Sequence, residues 1–570
     1  MSRADRHSAE TRRWFLGRLL AGTAAPVLAA CSTTERSATM GSTATVGPTT
    51  LPPPGTSTPP QSSSTTVPLP ALSQPSTVTT APEVTRTGWV ARENELPGTD
   101  SWRITSTTAP VRRGREPGAI EGYADRTSAQ RGDTVTLHVA TSADGWWAEV
   151  YRMGWYGGKQ ARLVWLSEPQ PASWQWMTES DPETRMVRAK WTPRLTFTVG
   201  DDWPAGAYLV KLSTSVGTAS YVPLTVRRDD ASASLVFVSA VTTWQAYNPW
   251  GGRSLYKDFE TGRESDRSKV VSFDRPYALA YQWGSADFLT HELPLLSLIE
   301  EMGLDCAYAT SIDLHLAGLD AAATDTFLRG RTAVLSPGHD EYYSRGMRRT
   351  LELARKRGIN LAFFGANAVY RHVRLEPDAE GLPFRQMANY RIASRDPMAD
   401  DNPAVATVQW RNPPLRNPEN SLVGVQYFAA GVDEPMVIVD PEAWCFAGVD
   451  LGGSRYLRNL ITVEADGLGP KASEPASLQV LASSPVAYRG ATYRHAMTYY
   501  STARGGGVFA TGTIGWVFAL DGPRWGDVRV TAVVRGVTAN VLRAFATGPA
   551  GLAHPSVPTA SRYRTSVQPG

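Results

Sequence analysis

Thr332-Ala-Val-Leu-Ser-Pro-Gly-His339-Asp340-Glu341-Tyr342-Tyr343-Ser344 is the stretch on which the reading of this chain turns. Ala333, Val334 and Leu335 form a short apolar run closed by Pro337 and Gly338. Such a run reads as a buried strand of a parallel sheet. Ser344 then reads as a helix N-cap, because Met347, Leu351 and Ala354 follow at helical spacing. His339, Asp340 and Glu341 therefore sit in a strand-to-helix crossover. Ligands of open α/β sheets bind just beyond the carboxyl ends of the strands. Three ionisable side chains at that edge make a candidate site; a capping turn with solvated charges is the alternative.

The chain on either side extends this pattern. Leu235 to Ser239 reads as a first buried strand, Pro294 to Met302 as a helix, Ala307 to Thr310 as a strand and 319–329 as a helix. The run 345–357 is a helix and Asn360 to Gly365 another strand. Strands alternating with helices predict a doubly wound parallel sheet over 233–548. Gln479 to Ala482, Thr492 to Thr498 and Gly507 to Thr511 read as added strands, and Val537 to Ala546 as a closing helix. Before this, Thr134 to Ala140, Trp147 to Arg152, Leu195 to Val199, Ala207 to Leu212 and Ala219 to Val226 alternate with period two between turn signals. They predict an all-β, immunoglobulin-like sandwich over 119–228. Trp146, Trp147, Trp155 and Tyr156 within it read as packing residues, with a carbohydrate-facing patch as the alternative.

The N-terminus is a targeting segment. Thr11-Arg12-Arg13-Trp14-Phe15-Leu16 matches a twin-arginine export signal, and an apolar stretch runs from Leu16 to Ala30. Leu28-Ala29-Ala30-Cys31 resembles a lipobox, so 1–31 reads as a lipoprotein signal with Cys31 as the lipidated residue. Residues 32–85 are a Ser/Thr/Pro-rich tether that cannot bury a core. Residues 86–118 read as an extended arm and 549–570 as a flexible tail. The expected location is outside the cytoplasm, held to the membrane by lipid. A net charge of +3 over 570 residues implies no basic field and no nucleic-acid partner. Three cysteines and eight histidines argue against clustered zinc sites. Cys306 and Cys445 read as buried thiols, a disulfide between them being left open.

The loop after the first strand carries Tyr247 and Tyr256, nine residues apart across Gly251-Gly252. It also follows a strand's carboxyl end, and so can lie beside the His-Asp-Glu loop. Arg275 reads as a structural ion-pair partner, Asn367 as a strand-end residue lining the pocket or capping a turn, His291-Glu292 as a helix start, and His372 as a surface residue.

Ile120-Glu-Gly-Tyr-Ala-Asp, Tyr151-Arg-Met-Gly-Trp-Tyr-Gly-Gly, Trp244-Gln-Ala-Tyr-Asn, Gly251-Gly-Arg-Ser-Leu-Tyr, Ser272-Phe-Asp-Arg-Pro, Gly338-His-Asp-Glu-Tyr-Tyr-Ser and Ala510-Thr-Gly-Thr-Ile-Gly-Trp together resemble the N,N-dimethylformamidase large (beta) subunit-like family. The resemblance covers about 120–547. It implies a class I glutamine-amidotransferase-like α/β domain and an amidohydrolase site with one iron. The metal ligands it implies are Tyr247, Tyr256 and Glu341, with His339 as active-site neighbour. A later glutamate of the family looks like Glu464, although Thr462 stands where a glycine is usual. Phenolate and carboxylate are hard anionic donors, and three of them suit Fe(III), with zinc as the alternative. In this reading Glu464 is the general base and His339 the donor to the oxyanion. The substrate class is an amide, either a small molecule or a cell-envelope component, and a small subunit or a second copy of the chain is a candidate partner. The other function class is a non-catalytic envelope protein that binds a saccharide or peptide. A cysteine-dependent amidotransferase is disfavoured, since the crossover after Ser336 carries His-Asp-Glu where a nucleophile is expected. Donors to one ion at roughly 2 Å must lie within about 4–5 Å of each other, a condition that discriminates the readings.

Overall fold

The computed structural model describes residues 88–105, 108 and 119–564. The expectations for Cys31, the signal, the tether and much of the arm lie outside them. What is described of the arm is not wholly extended. It contains a short helix, α1 (Trp89–Asn94), and Trp89, Val90, Trp102 and Ile104 are buried in the main core. Nor is the described tail free of the fold, because Ala560 is buried and the Thr559 hydroxyl accepts from the Val480 amide.

The all-β part is built mainly on two sheets, with a small two-stranded one, Thr178–Ser180 with Val187–Ala189, beside them. One has the order β1 (Ile120–Ala124), β2 (Thr134–Thr141), β5 (Leu195–Thr198). The other runs β7 (Ala219–Val226), β6 (Gly206–Thr214), β3 (Gly145–Met153), β4 (Ala161–Leu166). Their alternating apolar residues meet in a shared core, with Ile120, Leu137 and Val139 against Val150, Val210 and Leu212. Trp146 and Tyr156 are buried, which settles them as packing residues.

The α/β part is built on a nine-stranded mixed sheet. Its parallel half comprises β8 (Leu235–Ser239), β9 (Cys306–Thr310), β10 (Ala333–Ser336), β11 (Asn360–Phe363) and β16 (Gly507–Ala510). Antiparallel strands extend it: β12 (Gln426–Val437), β13 (Tyr456–Gly467), β14 (Gln479–Tyr488) and β15 (Ala491–Ser501). The spatial order is β9-β8-β10-β11-β16-β15-β13-β12, with β14 on β15. The first five strands are apolar and wholly buried, as a parallel sheet covered on both faces requires. The chain leaves β8 first towards β9 on one side and then reaches β10 on the other. That reversal opens a crevice at the carboxyl ends of β8 and β10.

The helices follow from caps and stripes. Helix α2 (Val241–Tyr247) starts directly after β8, and α3 (Leu293–Glu301) precedes β9. A further helix, α4 (Ser311–Ala317), was not expected from the sequence; Thr310 caps it, its hydroxyl accepting from the Asp313 amide. Then come α5 (Ala321–Leu328) and α6 (Arg345–Lys356). In α6 the Ser344 hydroxyl accepts from the Met347 amide, and Met347, Leu351 and Ala354 face the core. The closing helix, α7 (Val528–Thr547), is longer than the apolar run suggested, since the Asp527 carboxylate caps it at Val530.

The two parts are joined by buried charge. Arg152 on β3 meets Glu300 on α3 through two hydrogen bonds of 2.8 and 2.6 Å, with neither side chain exposed. Tyr308 and Asn94 also donate to Glu300, so strand, helix and α1 share one polar knot.

Candidate functional site

The site grows out of the end of β8. Val241 begins α2 at once, because the Trp244 amide bonds back to the Ala240 carbonyl. Tyr247 is the last residue of this helix. The chain then turns through Gly251 and Gly252, both with positive φ. A side chain at Gly251 would also overlap Val187. The turn returns Tyr256 onto Tyr247, and the two rings stack with centroids 4.3 Å apart.

Arg275 holds this loop from beneath. Its guanidinium donates to Gln245 Oε1 and to the carbonyls of Trp250, Arg253 and Asn248. The expected ion pair is therefore replaced by carbonyl partners. Burial without a counter-charge pushes Arg275 down to about 9.

The crossover after β10 lies alongside. Thr243 Oγ1 accepts from the Glu341 and Tyr342 amides, and Thr242 Oγ1 donates to the Tyr342 carbonyl. Helix α2 thus fixes the backbone of Glu341 as well as carrying Tyr247. The Tyr247 hydroxyl donates to Glu341 Oε2 at 2.6 Å. The Tyr256 hydroxyl lies 2.6 Å from the Tyr247 oxygen and 3.0 and 2.8 Å from the two Glu341 oxygens. Arg371 Nε donates to Glu341 Oε1 at 3.2 Å, and the Arg391 guanidinium lies 4.8 Å from the Tyr256 ring centre. Burial raises the Tyr256 phenol well above its ordinary range, reinforced by the Glu341 charge. Burial would raise Glu341 too, but His339, Arg371 and the Tyr247 hydroxyl overcome it and hold the carboxyl below its ordinary range.

His339 packs against the Tyr247 ring, with centroids 4.9 Å apart. Its Nε2 lies 3.7 Å from Glu341 Oε2 and 3.7 Å from Glu464 Oε2. Burial alone would lower this imidazole, yet Asp287, Glu341 and Glu464 together raise it to about 10. Glu464 comes from β13, fully buried, and accepts from Asn367 Nδ2 at 3.0 Å. Asn367 stands beyond β11 with φ +60, a conformation asparagine tolerates better than most residues. Its amide donates to Asp466, whose carboxyl burial lifts to about 8.

Tyr247, Tyr256, His339, Glu341, Asn367 and Glu464 are thus brought together, from the ends of three parallel strands and one antiparallel one. Asp340 is not: it turns away to accept from Ser336 and Tyr343. His372 is buried rather than exposed, its Nδ1 2.7 Å from the Ala406 carbonyl. Cys306 and Cys445 are free, buried thiols, and burial pushes both upwards. Sequence reasoning missed Thr242, Thr243, Arg371 and Asp287. Only the threonines carried a signal, through their place in the first strand-to-helix loop. Among the described residues no three His, Cys, Asp or Glu side chains gather as a metal cluster; the converging set is two phenols and one carboxylate.

No curated protein matches the chain. An uncharacterized protein from Bacillus anthracis str. Ames aligns at 8% identity over 18% of this chain and 78% of its own, with a TM-score of 0.12. A Paenibacillus sp. cycloisomaltooligosaccharide glucanotransferase, complexed with cycloisomaltoheptaose, aligns at 10% identity over 33% of this chain and 27% of its own, with a TM-score of 0.14. Neither overlap is large enough to relate the folds. Residues 147–528, more than half of the chain, match the family described as N,N-dimethylformamidase beta subunit-like, C-terminal, and the chain belongs to that family.

Proposed function

We propose that this chain is a metal-dependent hydrolase of amides or related C–N bonds, held outside the cytoplasm by a lipid at Cys31. The observation that carries the reading is the meeting of the Tyr247, Tyr256 and Glu341 oxygens within 2.6–3.0 Å. Oxygens bound to one ion at about 2 Å must lie close together, and these three would meet that condition once the phenols give up their protons. Two phenolates and a carboxylate match Fe(III) in hardness and charge; zinc is the second choice. Arg371 donates to Glu341 Oε1, and both phenol oxygens lie closest to Oε2.

A bound Lewis acid at these oxygens would polarise an amide carbonyl or acidify water. The protein's own groups would do the rest. Glu464 would take a proton from the attacking water and pass it to the departing amine nitrogen, so that amide and water become carboxylic acid and amine. Asn367 holds the Glu464 carboxylate for that transfer. His339 Nε2–H would donate to the carbonyl oxygen as it gains charge. We further read the two-sheet part as immunoglobulin-like and the α/β part as class I glutamine-amidotransferase-like, with a small subunit or a second copy as partner.

The test is metal content and visible absorption of the full chain. Near-stoichiometric iron with a tyrosinate charge-transfer band supports the reading and justifies an amide screen. Metal-free protein after expression in cells and iron reconstitution would overturn it in favour of a saccharide- or peptide-binding envelope protein.

A further inference from the structure

The site has an arginine-rich side, and that side reaches solvent. Glu341 and Glu464 are buried, whereas Tyr247, Tyr256, Arg371 and Arg391 are half-buried. Arg371 spends its Nε on Glu341 Oε1, and among the described residues its terminal nitrogens have no hydrogen-bond partner. Its side chain keeps 12% exposure. The Arg391 guanidinium lies 4.8 Å from the Tyr256 ring centre and gives one terminal nitrogen to the Leu255 carbonyl at 2.7 Å. Its Nε is buried with no partner. Arg267 is close enough to feel both, and it donates to the carbonyls of Ser268, Asn389 and Tyr390. Burial, and then the charges of Arg391, Arg371 and Arg395, press its guanidinium down to about 10. Among the described residues these three arginines form one ion pair, Arg371 with Glu341, so positive charge is left uncompensated beside the phenols.

We propose that Arg371 and Arg391 bind a carboxylate of the substrate, so that the amide taken here is an anionic one, of the N-acyl amino acid type, and not a small neutral amide. Arginines that only hold this fold are spent. Every guanidinium nitrogen of Arg275 donates to Gln245 or to a backbone carbonyl. Every one of Arg152 donates to Ala205, Tyr156 or Glu300. Arg371 and Arg391 instead keep donors in hand at the half-buried edge of the site. A guanidinium fork matches a carboxylate with parallel N–H bonds, and such charge-assisted bonds are about twice as strong as neutral ones. A neutral amide would leave those donors unmet, and a site built around them discriminates against it.

This inference narrows the hydrolase reading and rests on it for the substrate's amide, but its test reads anion binding alone. The full chain is titrated calorimetrically with N-acetylglycine and with its neutral counterpart N-acetylglycinamide, before and after metal removal by chelator. The native chain should bind the acid about 10²-fold more tightly in both states, and added salt should shrink that advantage. Arg391→Gln, with its unfolding midpoint checked, should lower the advantage about tenfold, and Arg391→Lys should restore part of it by returning charge without the fork. Arg371→Gln, read in the same way, is the second variant should Arg391→Gln fail to fold. Equal affinities in the native chain overturn the proposal, as does an acid that does not bind or an advantage unchanged in the folded variants. An advantage that vanishes with the metal places the carboxylate on the ion and overturns it too. None of these results bears on metal content or a phenolate band, by which the hydrolase reading stands or falls.

Discussion

Tyr247 and Glu341 are 94 residues apart in the chain, yet the phenol donates to the carboxylate at 2.6 Å. The double variant Tyr247→Phe/Tyr256→Phe keeps both rings and their stacking while removing two of three donor oxygens. It should fold, at a cost of about 1–3 kcal/mol for a carboxylate deprived of two hydrogen-bond donors. Metal content should fall to background and any phenolate band should vanish. Denaturant unfolding and metal analysis on the same sample check this; full metal occupancy in the folded double variant would move the donor set elsewhere.

Glu464 is buried beside Asn367 and within 3.7 Å of His339 Nε2. Glu464→Gln preserves the shape and still offers an oxygen to Asn367, but it cannot take a proton from water. The expected result is a fall in kcat of about 10²–10⁴-fold with unchanged metal content, the usual contribution of a general base. Turnover of an amide by metal-matched samples tests it, and a variant at the full rate would remove Glu464 from that role.

Much of this was legible in the sequence. Leu235 to Ser239 has the bounds of β8, and the Ser344 cap and the stripe of α6 are as the spacing predicted. Local chemistry sets those features. His372 shows where local chemistry ends: its sequence context predicts exposure, but pairing of its segment with Tyr342–Ser344 and the loop through Ala406 bury it. The partners of Arg275 were hidden for the same reason, since carbonyls from a folded-back loop leave no mark in side-chain identity. Asp287, just before the π-helical turn Phe288–Glu292, comes near His339 only in the folded chain. Long-range placement of this kind is a property of the assembled sheet rather than of neighbours in the chain.

His372 makes the pH dependence specific. Burial, helped by Arg345 and Arg374, lowers its imidazole to about 4 against the pull of the Ala406 carbonyl and Asp396. The unfolded chain, with a histidine near 6.5, therefore binds the extra proton between pH 6.5 and 4. The stabilising contribution is complete above 6.5 and is lost as pH falls through that window, by up to about 1.4 kcal/mol per pH unit. His372→Gln should show a shallower fall of stability in this range, by as much as one proton. Denaturant midpoints of the two proteins at stepped pH measure the difference, and parallel curves would refute it.

Arg152 and Glu300 tie the all-β part to the α/β part with both charges out of water. Arg152→Met leaves a buried carboxylate with only Tyr308 and Asn94 as donors, and should cost about 3–5 kcal/mol. The double variant Arg152→Met/Glu300→Leu should lose less, because no uncompensated charge remains. A double-mutant cycle by denaturant unfolding gives the coupling. If the two single costs simply add, the pair is not acting as a unit.

Gly365 tests whether the site depends on the spacing of its loops. His339 and Ala366 pair as neighbouring backbone across the two crossovers, and a Cβ on Gly365 would overlap the Gly338 carbonyl. Its own φ is not in the left-handed region, so the glycine is there for close approach and not for turn geometry. Gly365→Ala should therefore push the loop of Asn367 away from the loop of His339. The stability cost should be about 1–3 kcal/mol, as for other overpacked sites. The functional cost should be larger, because a displacement of about 1 Å in a catalytic constellation can lower the rate by roughly 10². Comparing unfolding midpoint and kcat in the same variant separates the two effects. A variant with lowered stability and unchanged turnover would mean that the loops move together and that the site tolerates their shift.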